Sequence, residues 1–217
     1  MSFENNPTET ERRPDIKAEP QYSDFIPAEF VNNPIQYFET YGTNMKEGEV
    51  LKDENGTVRE DPTAVKELPE WLNGRGEKLA VVAKKVNNEK GKIRKFGDPL
   101  YEYRIMKIVL DAGLPAAEPI ATVHSEAESL IVMKKLSGIG GHERGMNELR
   151  ARGFSEEDIM NIKTKAGAMM AELREKFEAE GIKRSWDLKD MIIDIDFAAK
   201  KVISLTPVDW EKTKIEE

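Results

Sequence analysis

Cysteine is absent from this 217-residue chain, and only two histidines occur, His124 and His142. The first absence excludes disulfides, thiolate metal sites and cysteine nucleophiles. The second argues against a histidine-built metal centre or a Ser-His-Asp triad. No apolar run reaches the length of a membrane span. The N-terminus is acidic and polar and has no signal-peptide apolar region, so the expectation is a cytoplasmic chain. Positive charge is outweighed: 33 Lys and Arg stand against 41 Asp and Glu, a net charge of −8. That balance argues against a general nucleic-acid ligand. A chain of this length is enough for one ordinary domain or two small lobes.

What is present is unevenly distributed. Pro7, Pro14, Pro20, Pro27 and Pro34 recur through residues 1–45 among Glu, Asn and Thr. Proline favours extended, PPII-like chain, so this segment reads as an extended, partly disordered N-terminal arm. From residue 22 on, however, Tyr22, Phe25, Phe30, Tyr37, Phe38 and Tyr41 are interleaved. A purely disordered tail is poorer in aromatics. Residues 20–42 therefore read as a docking arm, directed either at a protein partner or at the chain's own body, or else as a locally packed leader.

Residues 46–136 carry strand signals. Residues 49–51 and 57–59 flank Asp53-Glu54-Asn55-Gly56 like a hairpin, and Leu68-Pro69-Glu70-Trp71-Leu72 reads as a helical turn anchored by Trp71. Lys78 through Val86 is a strong strand signal that ends in two adjacent lysines, Lys84 and Lys85. Side chains alternate along a strand, so one of the two faces inward, and spacing leaves open which. Asp98-Pro99 starts a helix over 98–112 that closes at Gly113. Glu102 falls on the same stripe as Met106 and Val109. Residues 119–124 and 129–136 read as two further strands, and Ser137 through Gly141 as a flexible hinge beside an exposed His142.

The last part, residues 137–217, holds a helix over 155–180. It opens on a capping-box-like Ser155-Glu156-Glu157-Asp158 and carries a stripe of Ile159, Ile162, Ala166, Met169, Leu173 and Phe177. Met160, Met169 and Met170 read as core filler. A hairpin follows over 187–211, with Asp187 at its start and Asp209 near its end.

This order of parts resembles the protein-kinase-like fold, and within it the small atypical kinases of the Rio and KEOPS type, over residues 74–211. Val81-Val82-Ala83-Lys84-Lys85-Val86 is similar to the Val-Ala-Ile-Lys strand. The resemblance puts Lys84 on the nucleotide phosphates and Glu102 as its helix partner. Leu130 through Gly138 resembles the strand and hinge that meet adenine, which brings in Met133 and Lys134. Asp187-Leu188-Lys189 looks like the catalytic-loop Asp-Leu-Lys, with Asp187 orienting the acceptor and Lys189 beside it. Asp209, in Val-Asp-Trp-Glu, resembles the metal-holding aspartate, and Asp190 is the candidate for a second metal contact.

The resemblance implies an α+β, kinase-like fold. An antiparallel-sheet N-lobe with one helix would be joined to a reduced, mainly helical C-lobe that ends in the catalytic-loop hairpin. It implies ATP and Mg²⁺ as cofactors and phosphotransfer to a hydroxyl. The alternative is a catalytically inactive kinase-like binding module that docks through its arm. The departures are specific. No G-x-G-x-x-G precedes the lysine strand, Trp186 stands before Asp187, Arg184 or Ser185 stands where a histidine is usual, and the Asp187–Asp190 loop is two residues short. Only six residues follow Glu211, so the C-lobe is expected in reduced form.

Overall fold

The computed structural model describes residues 14–45, 51–52, 58–59, 63–87, 100–125, 128–210 and 213–216. Strands are β1 (Asp15–Ala18), β2 (Thr43–Asn44), β3 (Leu51–Lys52), β4 (Val58–Arg59), β5 (Thr63–Leu72), β6 (Lys78–Asn87), β7 (Pro119–His124), β8 (Glu128–Lys134), β9 (Ile139–Gly140), β10 (Ile182–Lys183), β11 (Met191–Asp196), β12 (Lys201–Pro207) and β13 (Lys214–Ile215). Helices are α1 (Ala28–Asn32), α2 (Pro34–Tyr41), α3 (Tyr101–Asp111), α4 (Glu143–Ala151) and α5 (Glu156–Ala179). The protein is therefore α+β, built on an antiparallel sheet of order β1-β7-β8-β6-β5-β2.

The central strands β6 and β8 are apolar on both faces, and each face needs a cover. One face, carrying Leu79, Val81, Ala83, Leu130 and Val132, packs under Tyr22, Phe30, Tyr37 and Phe38 of residues 20–41. Phe30 and Phe38 are fully buried, and the Phe30 ring lies 5.1 Å from that of Trp71. The other face, with Ile131, joins Ile105, Met106 and Val109 of α3 and the C-terminal half in a second core.

The N-terminal segment thus corrects the extended-arm expectation. Residues 15–18, read as disordered, pair with β7, and residues 43–44 pair with β5. The prolines start helices: Pro20 opens a 3₁₀ turn over Pro20–Phe25, Pro27 caps α1, and Pro34 opens α2 behind an Asn33 cap. A first-turn proline forfeits no hydrogen bond, which is why the pattern suits helix starts as well as extended chain. The aromatic anchors are directed at the chain's own body. Residues 1–13 lie outside the described residues.

Other differences are local. Leu68 through Leu72 continues β5 through a bulge rather than forming a helical turn, because Pro69 cannot donate to the ladder. Trp71 is the anchor expected of it, 1% exposed. The hairpin around Asp53 through Gly56 appears as the pairing of β3 with β4; its turn lies outside the described residues, as do Asp98 and Pro99. The helix expected over 98–112 is seen as α3, with Leu100 at its N-cap. Ser137 through Gly141, read as a flexible hinge, is packed: β9 pairs with β11. A Cβ on Gly138 would stand 2.3 Å from the Ile193 carbonyl oxygen, and one on Gly141 would stand 1.9 Å from that of Leu188. Close backbone approach, not mobility, explains these two glycines. His142 caps the unexpected helix α4, accepting from the Gly145 N–H at 3.4 Å.

Helix α5 starts at the expected capping box, in which Ser155 and Asp158 bond each other's backbone N–H. Its stripe is buried except at Met169, which is half-buried beside Met170. Met160 is 62% exposed and is not core. The Lys200 ammonium, ahead of the Ser155 bonds, pulls Asp158 down to about 2 and ties the turn of the β11–β12 hairpin to α5. Among the described residues no helix is long and apolar enough to cross a membrane.

Two outcomes follow. Phe30→Ala costs ~3–5 kcal/mol in urea denaturation, whereas Val31→Ala, at a 52% exposed site, stays within about 0.5 kcal/mol. The second concerns Glu19, which clamps α3 by accepting from Lys107 at 2.8 and 2.9 Å and from the Tyr103 hydroxyl. Burial alone would raise its pKa, but the bonds from Lys107 and Tyr103 outweigh it and hold the carboxyl below its ordinary value. A depressed carboxylate contributes stability above its unfolded pKa and loses it as pH falls through the folded one. Wild type therefore exceeds Glu19→Gln in stability at neutral pH, and the gap closes as the pH falls below the ordinary carboxylate range, read from denaturation curves taken from neutral to acid pH.

Candidate functional site

Lys84 sits on β6 opposite Ile131 of β8, and cross-strand partners share a face. That face meets α3. The Lys84 ammonium donates to both carboxylate oxygens of Glu102 at 2.8 Å, with the two side chains 10% and 3% exposed. The open choice between the lysines is thus decided by parity. Lys85, on the opposite face, bonds Glu39 and lies 3.2 Å from Glu128. Burial alone would lower its pKa, yet those two carboxylates raise it. Met133 pairs with Val82 and shares the Lys84 face, half-buried against the α3 core. Lys134 pairs with Val81, so its side chain is on the far face, 3.8 Å from Glu118. Of these two hinge residues, one side chain shares the Lys84 face and the other does not.

Consecutive residues of α3 step about 100° around the axis and reach different neighbours. Glu102 reaches the sheet, Tyr103 reaches Glu19, and the Tyr101 hydroxyl donates to the Thr213 carbonyl at 2.7 Å. The helix that carries Glu102 is thereby tied to the segment just past Asp209.

Asp187 and Asp209 are each next to a buried tryptophan. Trp186 and Trp210 meet edge to face at 5.7 Å, and Phe177 of α5 closes the group at 4.6 and 5.9 Å. This aromatic contact brings the two ends of the hairpin together. Asp187 itself is open to solvent, its side chain 72% exposed and 3.3 Å from the Lys189 ammonium. Its backbone N–H donates to Asp190 Oδ2 at 3.1 Å, closing the 3₁₀ turn Leu188–Asp190. The Val208 N–H donates to the Asp190 carbonyl at 3.0 Å, which places Asp190 beside the Asp209 end.

Between those two aspartates lies a residue marked in the sequence only as a departure, Arg184. Its side chain is 2% exposed. The guanidinium donates to the Asp209 carboxylate at 3.0 Å and to the Asp209 carbonyl, and stands 3.8 Å from the Asp190 carboxylate. Among the described residues no group of three or more His, Asp or Glu side chains is arranged to hold a metal ion. Asp190 and Asp209, the candidate ligands, do not fit a divalent cation in this arrangement, because an arginine occupies the space between their carboxylates. The signal for Arg184 was its place two residues before Trp186; its partner, 25 residues away, was not legible.

Removing one member of the buried pair leaves the other charge unpaired. Glu102→Gln costs ~3–5 kcal/mol by chemical denaturation, and the double variant Lys84→Met, Glu102→Leu regains most of that loss.

No family model matches the chain, and no curated protein matches it. Among solved structures it is similar to the crystal structure of the BubR1 kinase domain, with a TM-score of 0.48 and 12% identity, over 71% of this chain and 44% of that one. The chain thus spans less than half the length of that kinase domain.

Proposed function

We propose that this chain is a kinase-like nucleotide-binding module in which Lys84 holds the phosphates of ATP and Glu102 holds Lys84. The observation that carries this reading is the buried Lys84–Glu102 pair at the junction of sheet and helix. A strand lysine paired with a helix glutamate is what protein kinases use to position the phosphates. As a stability device alone such a pair is poorly explained, since apolar residues of similar size often do as well or better. Met133, on the same face, is the candidate apolar contact for the base. The finer likeness to the Rio and KEOPS-type kinases rests on residue pattern alone.

Binding without phosphotransfer is the better-supported form of the proposal, because Arg184 takes up the carboxylates on which metal-assisted transfer would depend. The transfer reading has one observation in its favour. Asp187, with Lys189 beside it, is exposed at the head of the hairpin, where an acceptor hydroxyl would have access. A partner-docking role for residues 20–42 would fall to exposed Val31 and Tyr41, since Tyr22, Phe30, Tyr37 and Phe38 are used on the chain's own sheet.

ATP that binds the folded chain raises its melting temperature by mass action, the equivalent of about 2.7 kcal/mol at a hundredfold excess over Kd. The expected outcome is a dose-dependent shift that the double variant Lys84→Met, Glu102→Leu abolishes while it stays folded. No shift at millimolar ATP defeats the proposal. Turnover of ATP that Asp187→Ala removes, with binding retained, would establish transfer instead.

A further inference from the structure

We infer that Arg184 is a built-in cation that stands in for a divalent metal between Asp209 and Asp190, so that this site takes nucleotide phosphate without a metal ion. The metal-independent binding rests on the nucleotide reading above; the exclusion of metal does not. A guanidinium is a planar, delocalised cation, and here it stands between the two carboxylates. Its planar fork engages Asp209 twice, at the carboxylate and at the main-chain carbonyl. That double engagement gives a direction as well as a charge. The guanidinium carbon also lies 5.9 Å from the Trp186 ring centroid, within cation–π range.

The arginine is not free to swing out. Arg184 is two residues from Trp186, which is 1% exposed and held between Phe177 and Trp210. The Trp186 carbonyl accepts from Arg174 of α5 at 3.2 Å. Displacing the guanidinium would therefore break its bonds to Asp209 and disturb packing around the aromatic group. A magnesium ion needs near-octahedral oxygen at about 2.0–2.1 Å, and a guanidinium in the same space denies it volume and reduces the negative charge that would attract it.

Metal binding is read directly from loss of the free Mn²⁺ signal in electron paramagnetic resonance, on the full chain without nucleotide. Wild type is expected to bind no Mn²⁺ more tightly than about millimolar. Arg184→Gln is expected to gain one site at least about tenfold tighter, and adding Asp209→Asn is expected to remove it. A wild-type site that Asp209→Asn abolishes overturns the inference, as does a folded Arg184→Gln that gains nothing. Should Arg184→Gln fail to fold, the wild-type titration decides the exclusion. A fluorescent ATP analogue, titrated in EDTA and again in a few millimolar Mg²⁺, tests the second half. Affinities within about threefold support it, and a loss of about tenfold or more in EDTA overturns it. An analogue that binds under neither condition defeats the nucleotide reading, and the manganese titration still decides the role of Arg184.

Discussion

A lysine and a glutamate, both nearly buried, meet where α3 crosses the sheet, and the placement of α3 follows from that meeting. Neither charge is stable there alone, so the strand and the helix hold each other in register. The flanking residues extend the constraint. Tyr101 reaches the C-terminal segment and Tyr103 reaches Glu19, so the first turn of α3 joins three regions of the chain. A helix held only by Ile105, Met106 and Val109 would have more freedom to slide, since apolar contact is non-directional. Charge-assisted hydrogen bonds add direction to it.

The sheet imposes the second constraint. Strands buried on both faces need two covers, and α3 with the C-terminal half supplies one. Residues 20–41 supply the other, which is why aromatics are interleaved among prolines there. On that outer face Phe38 is covered by lysine as well as by carbon. The Lys66 ammonium lies 4.6 Å from its ring centroid while bonding Glu39 at 2.6 Å. Burial would raise Glu39, but the bonds from Lys66 and Lys85 hold it below its ordinary value.

The hairpin end combines an open acid with one held by an arginine. Asp187 faces solvent, whereas Asp209 is engaged by an arginine that the fold has buried. The tryptophans after Ser185 and after Asp209 do the positioning, for their mutual contact sets where the hairpin begins and ends. The two parts of the chain thus treat charge differently: the Lys84–Glu102 pair is matched one to one, whereas a single guanidinium stands against the carboxylates of both Asp209 and Asp190.

Much of this was legible locally. The apolar run of Lys78 through Val86, the Ser155–Asp158 box and the stripe of α5 are short-range patterns that mark a strand, a helix start and a buried helix face. The pairing of a strand lysine with Glu102 was legible only through resemblance. Proline misled in residues 15–41, because a fixed φ suits a helix start as well as extended chain. Glycine misled in residues 138–141, because close backbone approach and flexibility call for the same residue.

The sequence by itself determined the central strands β6, β7 and β8, the long helix, the cysteine-free chemistry and the set of charged residues available to a site. Only tertiary structure decided that Lys84 rather than Lys85 turns inward, since the choice depends on which face α3 covers. It alone decided that Arg184 meets Asp209 and Asp190. That contact joins residues 25 apart through the packing of two tryptophans, and no local period encodes a pairing of that kind.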